Sequence, residues 1–160
     1  MGGRDVKALV DTSAFYALWV AEDNNHEAAV SCFEQLRLNE AQLISTNYVL
    51  LECASLVQRR HGFDVAKKVL AKATELVDVV WMTRGTHQQA VLLWNDAGRR
   101  ALSLVDCASF AVMRELGVTR AVVFDAHFAQ AGFEVLPRAD RVAERASGYR
   151  APRKRQPSRS

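Results

Sequence analysis

No apolar run in this 160-residue chain approaches the roughly 20 residues needed to cross a bilayer; the longest stretches, such as FYALWV at 15–20, are far shorter. The opening segment MGGRDVK has none of the basic-then-apolar plan of a secretory signal. Together these absences read as a cytoplasmic protein with no membrane partner. Cysteine is scarce too. Cys32, Cys53 and Cys107 are odd in number, far apart and set in apolar helical surroundings. That pattern supports neither a disulfide framework nor a zinc site and points to core thiols. There is also no internal repeat.

What is present suits one soluble domain, since 49% of residues are hydrophobic and 24% charged. The net charge of +3 hides an asymmetry. From Arg138 onward eight basic residues face two acids, a surplus of six, so residues 1–137 carry a net charge of −3. The chain therefore divides into a mildly acidic domain, 1–137, and a basic tail, 138–160, ending in SGYRAPRKRQPSRS. With almost no large apolar side chain, the tail is expected to be disordered when unbound.

Within the domain the hydrophobic period alternates between strand-like runs and helix-like stripes. Strands are expected at 7–10, 41–45, 77–82, 120–124 and 134–136. Helices are expected at 13–20, 25–38, 47–61, 64–76, 86–97, 104–116 and 126–131, with Gly62 and Gly117 as stops. Five strands separated by helical crossovers predict a single α/β domain with a mostly parallel sheet covered on both faces.

Sites in such sheets form outside the carboxyl ends of the strands. The run KALV ends there on Asp11, and the run AVVF ends on Asp125. Glu52 lies on the stripe formed by Val49, Cys53 and Leu56, where an unneutralised carboxylate is costly. Asp106 opens an apolar helix and shares a face with Phe110 and Met113. Taken singly, Asp11 and Asp125 serve equally well as helix N-caps, Ser103 with Asp106 matches a capping box, and Glu52 accommodates a basic partner from another helix. Taken together, the four acids converge on one sheet edge.

Carboxylates and water favour Mg²⁺ or Mn²⁺ over zinc. Asp11, Asp106 and Asp125 are the candidate metal ligands, with Glu52 as a further ligand or the group orienting the attacking water. Thr12, Ser13 and Ser103 would support them by hydrogen bonds. Arg99 and Arg100, just before the Asp106 helix, are candidate contacts for substrate phosphates, with a solvated turn as the alternative. His127 reads as a structural residue of a helical turn, and Asp23 with His26 as a helix start.

Four segments in order, LVDTSAF, STNYVLLECASL, ALSLVDCASFAVMRELG and AVVFDAHFAQAGFEVL, resemble the PIN-domain ribonucleases, and within them the small VapC-like toxins. The resemblance spans about residues 6–137 and matches acids at Asp11, Glu52, Asp106 and Asp125; it does not extend to the tail. It implies a metal-dependent endoribonuclease, the toxin of a toxin–antitoxin pair, with an RNA substrate, a homodimeric state and a small antitoxin partner docking on the early helices. A housekeeping PIN nuclease for RNA processing, or a PIN-like RNA-binding module with little turnover, are the alternatives. A haloacid-type phosphatase is excluded because Ser13 stands where its second aspartate belongs. A receiver domain is excluded because its acidic pair and lysine are not in register.

Overall fold

The computed structural model describes residues 6–98 and 101–139. In chain order the elements are β1 (Lys7–Val10), α1 (Thr12–Trp19), α2 (His26–Leu38), β2 (Gln42–Thr46), α3 (Asn47–His61), α4 (Phe63–Leu76), β3 (Asp78–Val80), α5 (Arg84–Ala97), α6 (Leu104–Leu116), β4 (Arg120–Val122), α7 (His127–Gln130) and β5 (Glu134–Leu136). The strands form one parallel sheet in the order β3-β2-β1-β4-β5.

The central strand explains the two-sided packing. Ala8, Leu9 and Val10 are all fully buried, as expected of a parallel strand covered on both faces. Their side chains alternate between faces. Ala8 and Val10, with Val122 of β4, join a core built from α1 to α4 through Phe15, Phe33, Val49, Cys53, Val57 and Val69. Leu9, with Ile44, Ala121 and Val123, packs against Phe110 and Met113 of α6 and Phe128 of α7. Helix α5 rests on α6 through Ala90, Cys107 and Ala108.

Helix ends follow local chemistry. Thr46 and Thr83 cap α3 and α5 by accepting the N–H groups of Val49 and Thr86. Gly62 (φ 88°) and Gly117 (φ 66°) end α3 and α6 in backbone conformations that side chains other than glycine's resist.

Three strands differ from expectation. β2 is displaced by one residue. β3 ends at Val80 because the chain turns outward, leaving Trp81 73% exposed while the Met82 N–H donates to Asn47 Oδ1 at 2.9 Å. β4 ends at Val122, although Val123 still donates to Leu136 O at 3.1 Å, because the next amide, that of Phe124, is taken by a side chain of α1.

The thiols are free, and burial pushes Cys53 up to about 12 and Cys32 up to about 11, which leaves both unreactive. In FYALWV, Phe15 and Ala17 are buried and half-buried Trp19 stacks on Phe15 with ring centroids 5.7 Å apart, so this helix spends its apolar surface on the core. Arg138, the first residue assigned to the tail, is tied to the domain by a 2.8 Å ion pair with Glu134. The rest of the tail from residue 140, together with Arg99 and Arg100, lies outside the described residues. Among the described residues no helix is long and apolar enough to cross a membrane.

Candidate active site

The strand order reverses between β1 and β4, and the crevice beyond their carboxyl ends is where a doubly wound sheet opens to a ligand. Asp11 follows β1 directly. Its backbone N–H still extends the ladder to Val122 O at 3.0 Å, while its side chain caps α1. Oδ2 accepts the Ser13 N–H at 3.2 Å and the Ser13 hydroxyl at 2.9 Å. The same hydroxyl accepts the Phe124 N–H at 3.0 Å, fixing the loop that carries Asp125. Asp125 Oδ1 accepts the His127 N–H at 2.9 Å.

Asp106 arrives from the other face of the sheet. Ser103 and Asp106 form a complete capping box: the Asp106 N–H donates to Ser103 Oγ and the Ser103 N–H donates to Asp106 Oδ2, each at 3.0 Å. Each aspartate thus spends one oxygen on nearby backbone: Asp11 and Asp106 cap α1 and α6, whereas Asp125, which is not the N-cap of α7, closes the turn leading into it. The other oxygen of each makes no hydrogen bond among the described residues. The cap and the cluster, alternatives at the level of sequence, coexist because a carboxylate has two oxygens.

Glu52 sits beside them from α3. The buried face of that helix is Val49, Leu50, Cys53 and Val57, so Glu52 lies at its edge, half-buried, instead of within it. The Thr12 hydroxyl is near enough to favour the ionised Glu52, yet no hydrogen bond is closed, and Thr12 Oγ1 is buried without a partner.

The electrostatics show the acids acting on one another. Burial, reinforced by the charges of Asp106 and Asp125, pushes the Asp11 carboxyl up to about 7 against the two Ser13 hydrogen bonds. Burial also raises Asp106, opposed by the Ser103 hydrogen bonds and by His127. Glu52 is raised by burial first and by Asp106 and Asp125 as well, with Thr12 and Arg59 opposing. Among the described residues no lysine or arginine comes within 4.0 Å of any of the four acids. A small cation is the partner such a donor set fits.

His127 reads from sequence as a structural residue, yet its Nδ1 lies 3.7 Å from Asp106 Oδ2 and 3.6 Å from Asp125 Oδ1. Asp106, Asp125 and His127 each offer a ligand atom, all within 4.8 Å of one another. The only sequence signal was its place two residues after Asp125 at a helix start. Asp23 and His26 are local: Asp23 accepts the Asn25 N–H and His26 Nδ1 pairs with Ala17 O.

Known proteins share this sequence and fold. The chain is 38% identical to the 23S rRNA-specific endonuclease VapC20 of Mycobacterium tuberculosis over 134 residues, 81% of this chain and 98% of that one. The crystal structure of M. tuberculosis VapC20, described as a sarcin-ricin loop cleaving toxin, matches with a TM-score of 0.69 and 34% identity, covering 79% of this chain and 95% of that one. VapBC2 from Rickettsia felis, bound to a DNA fragment from its promoter, shares the fold at a TM-score of 0.57 and 14% identity over 81% of this chain and 97% of that one. Residues 8–134 match the PIN domain family. The family match over residues 8–134 and the 38% identical relative, covered almost end to end, together establish that the chain belongs to the PIN-domain family, in its VapC-like branch.

Proposed function

We propose that this protein is a divalent-metal-dependent endoribonuclease that hydrolyses a phosphodiester bond in a structured RNA, as the toxin of a toxin–antitoxin pair. The observation that carries the reading is the crowding of Asp11, Asp106 and Asp125 without a lysine or arginine in ion-pair contact among the described residues, with Asp11 lifted to about 7 by burial and, less strongly, by the other two charges. Asp11, Asp106 and Asp125 would hold Mg²⁺ or Mn²⁺, with Glu52 as a further ligand or a hydrogen-bond acceptor turning water toward phosphorus. When bound, the cation supplies an acidified water and neutralises charge developing on the phosphoryl and leaving oxygens. Ser13 and Ser103 keep the carboxylates aimed, and burial of Asp11 excludes competing solvent from its side of the site.

The near full-length identity to a 23S rRNA endonuclease supports a large-subunit ribosomal RNA loop as substrate. The VapC relationship supports a homodimer and a small antitoxin. Apolar side chains exposed on α2 to α4, among them Leu38, Leu51 and Phe63, offer surface for such contacts, whereas the α1 side chains Phe15 and Ala17 are consumed in the core.

The test is cleavage of a sarcin-ricin stem-loop and of unrelated hairpins in Mg²⁺, in Mn²⁺ and in EDTA, with wild type, Asp11→Asn and Asp125→Asn. Cation-dependent internal cleavage by wild type, reduced at least about a hundredfold in both variants, is expected. Undiminished cleavage in EDTA or by both variants would refute the assignment, and RNA retention without cleavage would make the protein a binding module.

A further inference from the structure

His127 has no role in the carboxylate chemistry just described, yet its ring stands inside the cluster. Resting on the reading of that cluster as a divalent-cation centre, we propose that His127 Nδ1 is a ligand of the same ion, making the centre a mixed nitrogen–oxygen site that selects Mn²⁺ over Mg²⁺.

Geometry is the first support. Nδ1 is 3.6 Å from Asp125 Oδ1 and 3.7 Å from Asp106 Oδ2. Both separations are too long for hydrogen bonds, and an imidazolium paired with a carboxylate would close to about 2.7–2.9 Å. Both are also shorter than twice an ion–ligand bond of about 2.1 Å, so one ion reaches Nδ1 and either carboxylate without rearrangement. Neither ring nitrogen makes a hydrogen bond among the described residues.

The backbone that carries the ring is also anchored. The His127 backbone N–H is fixed to Asp125 Oδ1, and the next residue, Phe128, is fully buried and packs edge-on to Phe110 with centroids 4.9 Å apart. The turn that carries the imidazole is therefore anchored on the α6 face of the sheet. A second open donor stands at the cluster: Thr12 Oγ1, buried and unpartnered beside Glu52.

Ligand chemistry supplies the selectivity. Mg²⁺ favours oxygen donors and retains its waters, whereas Mn²⁺, though the weakest imidazole binder of the first-row series, accepts a nitrogen donor more readily than Mg²⁺ does. An all-carboxylate site holds both ions through charge alone; a nitrogen donor favours Mn²⁺.

Pulsed electron paramagnetic resonance of Mn²⁺ bound to the full-length protein should show coupling to a directly bound ¹⁴N nucleus. His127→Gln and His127→Ala should abolish it, weaken Mn²⁺ binding about tenfold or more in calorimetric titration, and leave the Mg²⁺ dissociation constant within about twofold. Bound Mn²⁺ without nitrogen coupling, or coupling that persists in His127→Ala, would overturn the proposal while leaving the carboxylate centre standing. Absence of saturable Mn²⁺ binding by wild type, or binding unaffected by Asp106→Asn, would instead overturn the reading of the cluster as a cation site.

Discussion

The hydroxyl of Ser13 accepts the amide N–H of Phe124 at 3.0 Å across 111 residues of sequence. It simultaneously donates to Asp11 Oδ2, so one oxygen ties the loops leaving β1 and β4 together and sets the spacing of two catalytic candidates. Ser13→Ala leaves the Phe124 amide without its partner and frees Asp11 to rotate. Unmade hydrogen bonds of this kind cost about 1–3 kcal/mol, so thermal unfolding should fall by roughly 2–10 °C. RNA cleavage should fall with it, and Ser13→Thr, which restores the hydroxyl, should recover most of both. An alanine variant with wild-type melting and cleavage would remove Ser13 from the site.

Asp106 carries two duties that substitution separates. Asparagine retains an amide oxygen to accept the Ser103 N–H but loses the charge; alanine loses both. In EDTA, Asp106→Asn should melt at or above wild type because one repelling carboxylate is gone. Asp106→Ala should melt lower, offsetting that relief with a cap loss of about 1 kcal/mol. Both variants should gain less stability than wild type from Mn²⁺, which for wild type amounts to about 2.7 kcal/mol at a hundredfold excess over Kd. Equal metal responses in all three proteins would reduce Asp106 to a helix cap.

Protonation of Asp11 gives the metal-free protein a characteristic pH dependence. The folded carboxyl titrates near 7 and the unfolded one near 3.8, so between these values the folded state binds more protons than the unfolded state. Stability is therefore greatest below about 4 in this respect, falls as pH rises, and has lost on the order of 4 kcal/mol above about 7. Melts in EDTA from pH 4 to 8 should show Asp11→Asn gaining on wild type as pH rises. Saturating Mg²⁺ or Mn²⁺ should cancel the difference, since a cation favours the ionised carboxyl. A constant gap between the two proteins across this range in EDTA would show that neither burial nor the neighbouring acids raise the folded Asp11 carboxyl.

The basic residues after Ala139 predict an electrostatic contribution to RNA binding. Truncation there removes seven of them and both acids. The slope of log affinity against log salt should flatten by roughly 2–4, while turnover at saturating RNA stays within about twofold. Equal slopes for full-length and truncated protein would assign the tail no part in binding.

Most of the architecture is legible in local pattern because a parallel sheet buried on both faces writes continuous apolar runs, as at Ala8 to Val10, and its crossover helices write stripes between glycine stops. The misplaced ends have non-local causes. Trp81 and Met82 extend the apolar run of β3, but hydrophobicity alone does not separate a strand residue from an aromatic that is 73% exposed. Phe124 continues the run of β4, and only a hydroxyl 111 positions away takes its amide and ends the ladder. Asp11, Glu52, Asp106 and Asp125 are conspicuous because charge interrupts apolar pattern. His127 interrupts nothing, sitting at the start of a short helix, and its closeness to Asp106 exists only once α6 and α7 pack on the same face of the sheet.

The placement of β1 between β2 and β4 also orders events in time. A ribosome releases Asp11 first and Asp125 last among the four acids, and β1 acquires its second neighbour only when residues 120–122 have been made. Until then its β4-facing edge has no strand to pair with, and the nascent chain lacks one wall of the crevice. A product interrupted before residue 125 lacks Asp125, so on the proposed reading it has no complete cation centre. The order in which the strands are joined thus keeps the acid cluster incomplete for nearly the whole of the domain's synthesis.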